Sequence, residues 1–231
     1  MISGDSVQIL TYLVYTAAGL GAGVVTGLAG LSAAVVITPM LVSLCGWESY
    51  DAVTVALASD VLASMLSAYT YYKNKNIDLR RGGLVTVTAF LGTIAGSYCG
   101  FLFSRHSPDG LGYISMLMTV FLGVKFLVKP ISGGGILMLT VFSLVLGYNL
   151  KVAVGTSTMI MTLVALTGAV SHISLGARIF PLPMAVVVLS CLLGAVVSAK
   201  FANRCEIARL NRIVGIVLAL LGIVTIAVKL L

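Results

Sequence analysis

Long apolar runs separated by short polar punctuation set the pattern of this chain. A membrane-spanning helix needs roughly 20 apolar residues, and runs of that order occur at Leu10–Leu28, Ala52–Tyr72, Leu84–Phe103, Gly112–Val128, Val152–Ile173, Pro183–Ala199 and Ile213–Val228. Each predicts a helix that crosses the bilayer. Two further arms, Ala33–Leu44 and Ile136–Leu146, are bounded by Gly or Ser and are too short to cross comfortably. Segments of that length predict re-entrant or broken helices, whose open backbone is tolerated only where protein or a water-filled cavity satisfies it. Pro39 lies inside the first arm, removes one helical donor and predicts a kink there.

The pattern repeats. A shift of 101 residues, the distance from Ser32 to Gly133, places Gly147 on Gly46, Tyr148 on Trp47, Ala153 on Ala52, Val154 on Val53 and His172 on Tyr71. Identity is sparse but the order of short arm, turn and long helix is kept, so the chain divides into repeats at residues 1–129 and 130–231. Leu10–Ser32 has no counterpart, because Gly112–Val128 instead matches Ile213–Val228. The second repeat therefore lacks its first arm.

Composition fixes the class. With 59% hydrophobic residues, 9% charged and a mean hydropathy of +1.12, the chain is far from the roughly one-quarter charged usage of soluble domains. It reads as an all-α polytopic membrane protein, and the lipid bilayer is its first partner. The net charge of +7 does not mark nucleic-acid binding, because eight of the fourteen Lys and Arg fall in Lys73–Arg81 and Lys200–Arg212. Those are loops of a membrane topology. If every segment crosses as written, the two basic loops land on opposite sides; with one crossing restored both face the cytoplasm and the halves are inverted, and with Ile136–Leu146 dipping in and out both loops also face the cytoplasm. Residues 1–9 hold Asp5 as their charge and no basic n-region, so the first helix is expected to be retained. Cys45, Cys99, Cys191 and Cys205 are scattered, without the paired spacing of a metal or disulfide framework.

Small residues recur at helical spacing in Gly19, Gly23 and Gly27, in Gly92, Gly96 and Gly100, and in Ser190, Gly194 and Ser198. These predict faces where helices approach closely, within one chain or in a homo-oligomer.

Candidate chemistry gathers where the short arms begin. Inverted repeats with Gly-interrupted short segments at matching positions point to a substrate site near the bilayer midplane. At Ser32-Ala33-Ala34 and Gly133-Gly134-Gly135 the backbone can open and turn helix N-terminal N–H groups toward a small anionic substrate. Thr156 and Ser157 could add neutral hydroxyl donors. In the plainer reading the glycines allow tight turns and the hydroxyls cap a helix. Asp60, in the middle of an apolar run, must face protein or water; it is a candidate for coupling or gating, or for an interhelical hydrogen bond. His172, at a helix end beside Ser171 and Ser174, is a second coupling or gating candidate or a wet, inert side chain. No nucleophile elbow, carboxylate pair or phosphate loop is present, which argues against an enzyme, and no cofactor or metal is implied.

The stretch Gly133-Gly134-Gly135, the apolar run 136–146, Gly147, Lys151-Val152-Ala153-Val154-Gly155-Thr156-Ser157 and the downstream His172 resembles the sulfite exporter family TauE/SafE. Gly27-Leu28-Ala29-Gly30-Leu31-Ser32-Ala33-Ala34 with Pro39 is similar to that family's glycine-rich arm followed by proline, and Asp78-Leu79-Arg80 to the polar stretch after its third segment. The resemblance implies a secondary transporter of small sulfur-containing anions such as sulfite, sulfonates or sulfoacetate, in a cytoplasmic membrane. An anion channel and a non-transporting membrane scaffold are the alternatives.

Overall fold

In the computed structural model, the described residues are 4–107 and 150–205, with isolated helical positions between 110 and 121 and between 212 and 223. Among them the fold is entirely helical: α1 (Gly4–Ala29), α2 (Ala34–Cys45), α3 (Ser49–Lys73), α4 (Leu79–His106), α5 (Leu150–Ser174) and α6 (Pro181–Arg204). Five are long and apolar enough to cross a membrane, and α2 is the short exception. The predicted spans Gly112–Val128 and Ile213–Val228 and the arm Ile136–Leu146 lie outside the described residues apart from those isolated positions.

Helix ends overshoot the apolar runs that predict them, because polar residues close the terminal turns. Asp78 accepts from the N–H groups of Arg80 and Arg81 at 3.1 Å and starts α4 five residues before the run at Leu84. Asp51 sits in the first turn of α3 and Lys73 in its last, each complementing the helix dipole. Pro181 opens α6, where a missing N–H costs nothing. Pro39, by contrast, sits within α2, which runs through it to Cys45. Gly46 then turns the chain in the left-handed region at φ +67.

The small-residue faces explain the tightest packing. α1 and α6 run parallel and touch more extensively than any other pair. A Cβ on Gly23 would strike the Cys191 carbonyl and the Ala195 N–H, and one on Gly27 the Ser198 hydroxyl. The first and third predicted stripes are thus two sides of one interface, without room for a methyl group. The second is not part of it: among the described residues a Cβ on Gly92, Gly96 or Gly100 would meet nothing within 4 Å. α4 instead meets α5 through Gly82, whose Cβ would lie 2.8 Å from Thr156 Cγ2, and through its Ala89 side.

α3 and α5 run antiparallel. The start of α3 meets the end of α5 where Thr54 Oγ1 lies 3.1 Å from His172 Nδ1, the middles meet at Ser64 and Thr162, 3.0 Å between hydroxyls, and Tyr71 packs on Gly155 at the far end. The loops reciprocate. Asp78 N–H donates to Thr156 Oγ1 in the first turns of α5 at 3.0 Å, and Arg178 N–H donates to Asp51 Oδ1 in the first turn of α3 at 2.8 Å.

The two basic loops share one end of the molecule. Asn76 Nδ2 donates to Asn203 Oδ1 at 2.9 Å and Lys151 Nζ to the Asn203 carbonyl at 2.7 Å, so Lys151 serves as a tie between α5 and α6. Lys73, Lys75, Arg80, Arg81, Lys200 and Arg204 gather at this end, while Glu48, Asp51, Arg105 and Arg178 occupy the other. By the positive-inside rule the first end is cytoplasmic. The crossing count that puts the basic loops on opposite sides is therefore corrected: α4 finishes at the outer end, α5 starts at the inner one, and both basic loops face inward.

Substituting Gly23 by Leu should separate α1 from α6 and lower the thermal unfolding midpoint in detergent, overpacking of this kind costing about 1–3 kcal/mol. Gly92→Ala should leave it unchanged or raise it, since alanine is favoured in a helix interior by about 1 kcal/mol. Equal effects would contradict the packing described.

Candidate functional site

α2 has 12 residues, about 18 Å at the helical rise, against a hydrocarbon core of about 30 Å. Its Cys45 end lies at the outer end of the molecule, where Trp47 Nε1 donates to Tyr15 Oη at 3.2 Å. Its N-terminus therefore starts inside the bilayer. The first N–H groups of any helix have no partner of their own, and here no water replaces one.

Asp60 supplies the answer from the middle of α3. Ser32 Oγ donates to its Oδ2 at 2.5 Å, and Ala33 N–H to its Oδ1 at 2.7 Å. Ala34 N–H donates in turn to Ser32 Oγ at 3.2 Å. The carboxylate is 1% exposed. It acts as an N-cap delivered from another helix, its charge matched to the positive end of the α2 dipole. The carbonyl side of the break is closed as well: Thr26 Oγ1 donates to the Leu31 carbonyl at 2.9 Å and Tyr71 Oη to the Gly27 carbonyl at 3.1 Å. Gly30 turns the chain at φ +64, and a Cβ there would lie 2.7 Å from Ser157 Oγ. Only glycine meets both demands.

Beside the break is a cavity of about 330 Å³ lined by Gly30, Ser32, Leu57, Asp60, Ala89, Ser157, Ile160, Met161, Val164 and Ala165. Its walls are apolar except for Ser32, Asp60 and Ser157, and no cation lines it. Such a chamber can receive a small solute and surround it with a carboxyl group and two hydroxyls. Ser157 Oγ donates to the Val154 carbonyl at 3.0 Å, leaving its lone pairs for another partner.

The structure thus brings Ser32, Ala33, Ala34, Asp60 and Ser157 to one place. Thr156 is turned elsewhere, accepting from Asp78 N–H in the inner loop. His172 stands apart: its ring stacks on Tyr50 at 4.2 Å and 7°, and it meets Thr54, six positions or about 9 Å of helix before Asp60. It is buried rather than wet. Gly133, Gly134 and Gly135 lie outside the described residues. Sequence reasoning missed the apolar lining and the Tyr71 bond. A signal for one lining residue was present, since Met161 is the position matched to Asp60 by the 101-residue shift, and both line the same cavity. Among the described residues no group of His, Cys, Asp or Glu could hold a metal ion, and all four cysteines are free.

Long apolar helices, a half-length helix starting within the bilayer and a polar-tipped chamber at its N-terminus define a multi-pass membrane protein with a small chamber between its helices. A sequence profile described as "Sulfite exporter TauE/SafE" matches residues 15–132 and 131–225, and the chain belongs to that family, a family of transporters of the cell membrane. It is similar to the probable membrane transporter protein YunE of Bacillus subtilis (strain 168), with 26% identity over 218 residues covering 72% of this chain and 80% of the relative. No solved structure matches it.

Removing the carboxylate with Asp60→Ala should destabilise the folded protein in detergent by about 1–3 kcal/mol, the cost of leaving buried donors without a partner. Ser157→Ala, which uncovers no buried donor, should shift the unfolding midpoint much less. Thermal unfolding followed by circular dichroism distinguishes the two.

Proposed function

We propose that this protein is a secondary transporter of small sulfur-containing anions, of the sulfite, sulfonate and sulfoacetate class, working by alternating access between inverted halves at residues 1–129 and 130–231. One observation carries the reading: Asp60, an anionic group of the protein, sits on the N-terminus of a helix broken inside the bilayer, beside a chamber sized for a small solute. A helix N-terminus is a ready anion site, and here the protein's own carboxylate holds it.

Substrate and Asp60 then compete for Ser32 Oγ–H and Ala33 N–H. Protonation of Asp60 removes its charge and loosens its hold on those donors, so an anion can take them; proton and anion are bound together and cross together. Ser157, on the facing helix, would turn its O–H from the Val154 carbonyl to the anion. Gly133–Gly135 would provide the matching N-terminus in the second half, and Thr156 would hold the loop that joins α3 to α4. His172 would act in gating at the outer end of the α3–α5 seam. The antiparallel course of α3 and α5 and their reciprocal loop contacts support the inverted relation of the halves. The family and the relative's name support transport itself.

In proteoliposomes loaded with unlabelled sulfite, external labelled sulfite should show saturable counterflow, accelerated by an inward proton gradient. Asp60→Asn should abolish that acceleration while the protein stays folded, and Gly134→Leu should abolish flux. Flux without saturation or counterflow would favour a channel. Undiminished pH dependence in Asp60→Asn would remove Asp60 from coupling.

A further inference from the structure

At the cytoplasmic end, between the last turns of α3 and α6, lies a second cavity of about 230 Å³ lined by Thr70, Lys73, Asn74, Lys200, Asn203 and Arg204. Three of these six residues are cationic, and no acidic residue lines it. The ion pair of Arg178 with Glu48 is at the opposite end of the molecule. Three acceptors at the cavity are already engaged. The Thr70 carbonyl accepts from Asn74 Nδ2 at 2.7 Å, the Asn203 carbonyl from Lys151 and Asn203 Oδ1 from Asn76. Among the residues that line the recess, the charge is positive.

The flanks of the recess are apolar. One turn before Lys73 is Tyr69, 54% exposed, with the Lys73 ammonium 4.8 Å from its ring centroid. On α6, Val197 at 69% and Phe201 at 44% exposure stand one turn before Lys200 and Arg204. Each cation therefore follows, along its own helix, an aromatic or aliphatic side chain on the lipid-facing surface. A free anion would need only the charges. A ligand with an anionic head and hydrocarbon tails would use both surfaces, the head in the recess and the tails along Tyr69, Val197 and Phe201.

We infer that this recess binds the phosphodiester headgroup of an anionic phospholipid of the inner leaflet. Basic pockets between helices on the cytoplasmic side recognise such heads through charge, with Arg supplying a planar fork for phosphate oxygens. Lipid bound there would clamp the ends of α3 and α6, the first helix bearing Asp60 and the second packed against α1.

The purified protein in neutral detergent, supplemented with phosphatidylglycerol or with phosphatidylcholine, tests this by native mass spectrometry and thermal unfolding. Phosphatidylglycerol should be retained on the wild-type protein and raise its unfolding midpoint, and phosphatidylcholine should not. Lys200→Gln with Arg204→Gln should reduce phosphatidylglycerol retention at least tenfold. Lys75→Gln with Arg80→Gln, which removes equal charge from the same end outside the recess, should leave it unchanged. If the first pair does not fold, Lys200→Gln alone should still weaken retention relative to Lys75→Gln alone. Equal losses in the two pairs would mean diffuse surface charge and overturn the site. Equal stabilisation by inorganic phosphate or sulfite would assign the recess to a free anion and overturn the lipid.

Discussion

A hydrocarbon interior offers no water to an unpaired backbone group, and the first half of this protein is arranged around that prohibition. A helix that begins within the bilayer exposes N–H groups which would each cost several kcal/mol if left bare. The chain meets the cost with one carboxylate from α3, a hydroxyl from the break itself, and hydroxyls from Thr26 and Tyr71 on the carbonyl side. Asp60 is consequently structural and chemical at once. In the proposed transport cycle, the group that makes the break tolerable is also the one whose charge a proton cancels, so the cycle acts on the feature that stabilises this conformation.

The rest of the packing keeps the break in place. α1 carries the chain to it and lies against α6 with backbone almost touching backbone, so its position along the bilayer normal is fixed by glycine contacts rather than by interlocking side chains. α3 brings Asp60 and is held on α5 at its start, middle and end. Between these two rigid pairs the half-length α2 and the chamber are what remains.

Much of this was legible in the sequence. The apolar runs located every described long helix, the length of 33–44 exposed the broken arm, and an acidic residue in an apolar run marked Asp60 as facing protein. Two of the three small-residue stripes did mark a close approach. For the stripe on α4 the described residues show no such contact, because spacing shows which residues share a face of a helix and not what that face meets; Gly92, Gly96 and Gly100 share a face of α4 that packs on no described helix. Pairing of Ser32 with Asp60 was not readable either, since it joins residues 28 positions apart through the geometry of a turn that includes a glycine at positive φ. Thr156 and Ser157 are neighbours in sequence, but a helix turns about 100° per residue, so one faces a loop and the other the chamber. Helix ends were read short because hydropathy stops at the membrane surface while hydrogen bonding does not.

The α1–α6 interface also has a consequence for how the protein is made. Residues 19–27 leave the ribosome long before residues 190–199, and at synthesis rates of about 5–20 residues per second the delay is of the order of ten to thirty seconds. During that interval the glycine face of α1 enters the membrane with no partner of its own chain. Bare backbone on a nascent helix is a surface that other nascent helices, or another copy of the same chain, can occupy first. The small residues that give the finished protein its tightest seam leave α1 open to mispairing during insertion until α6 arrives.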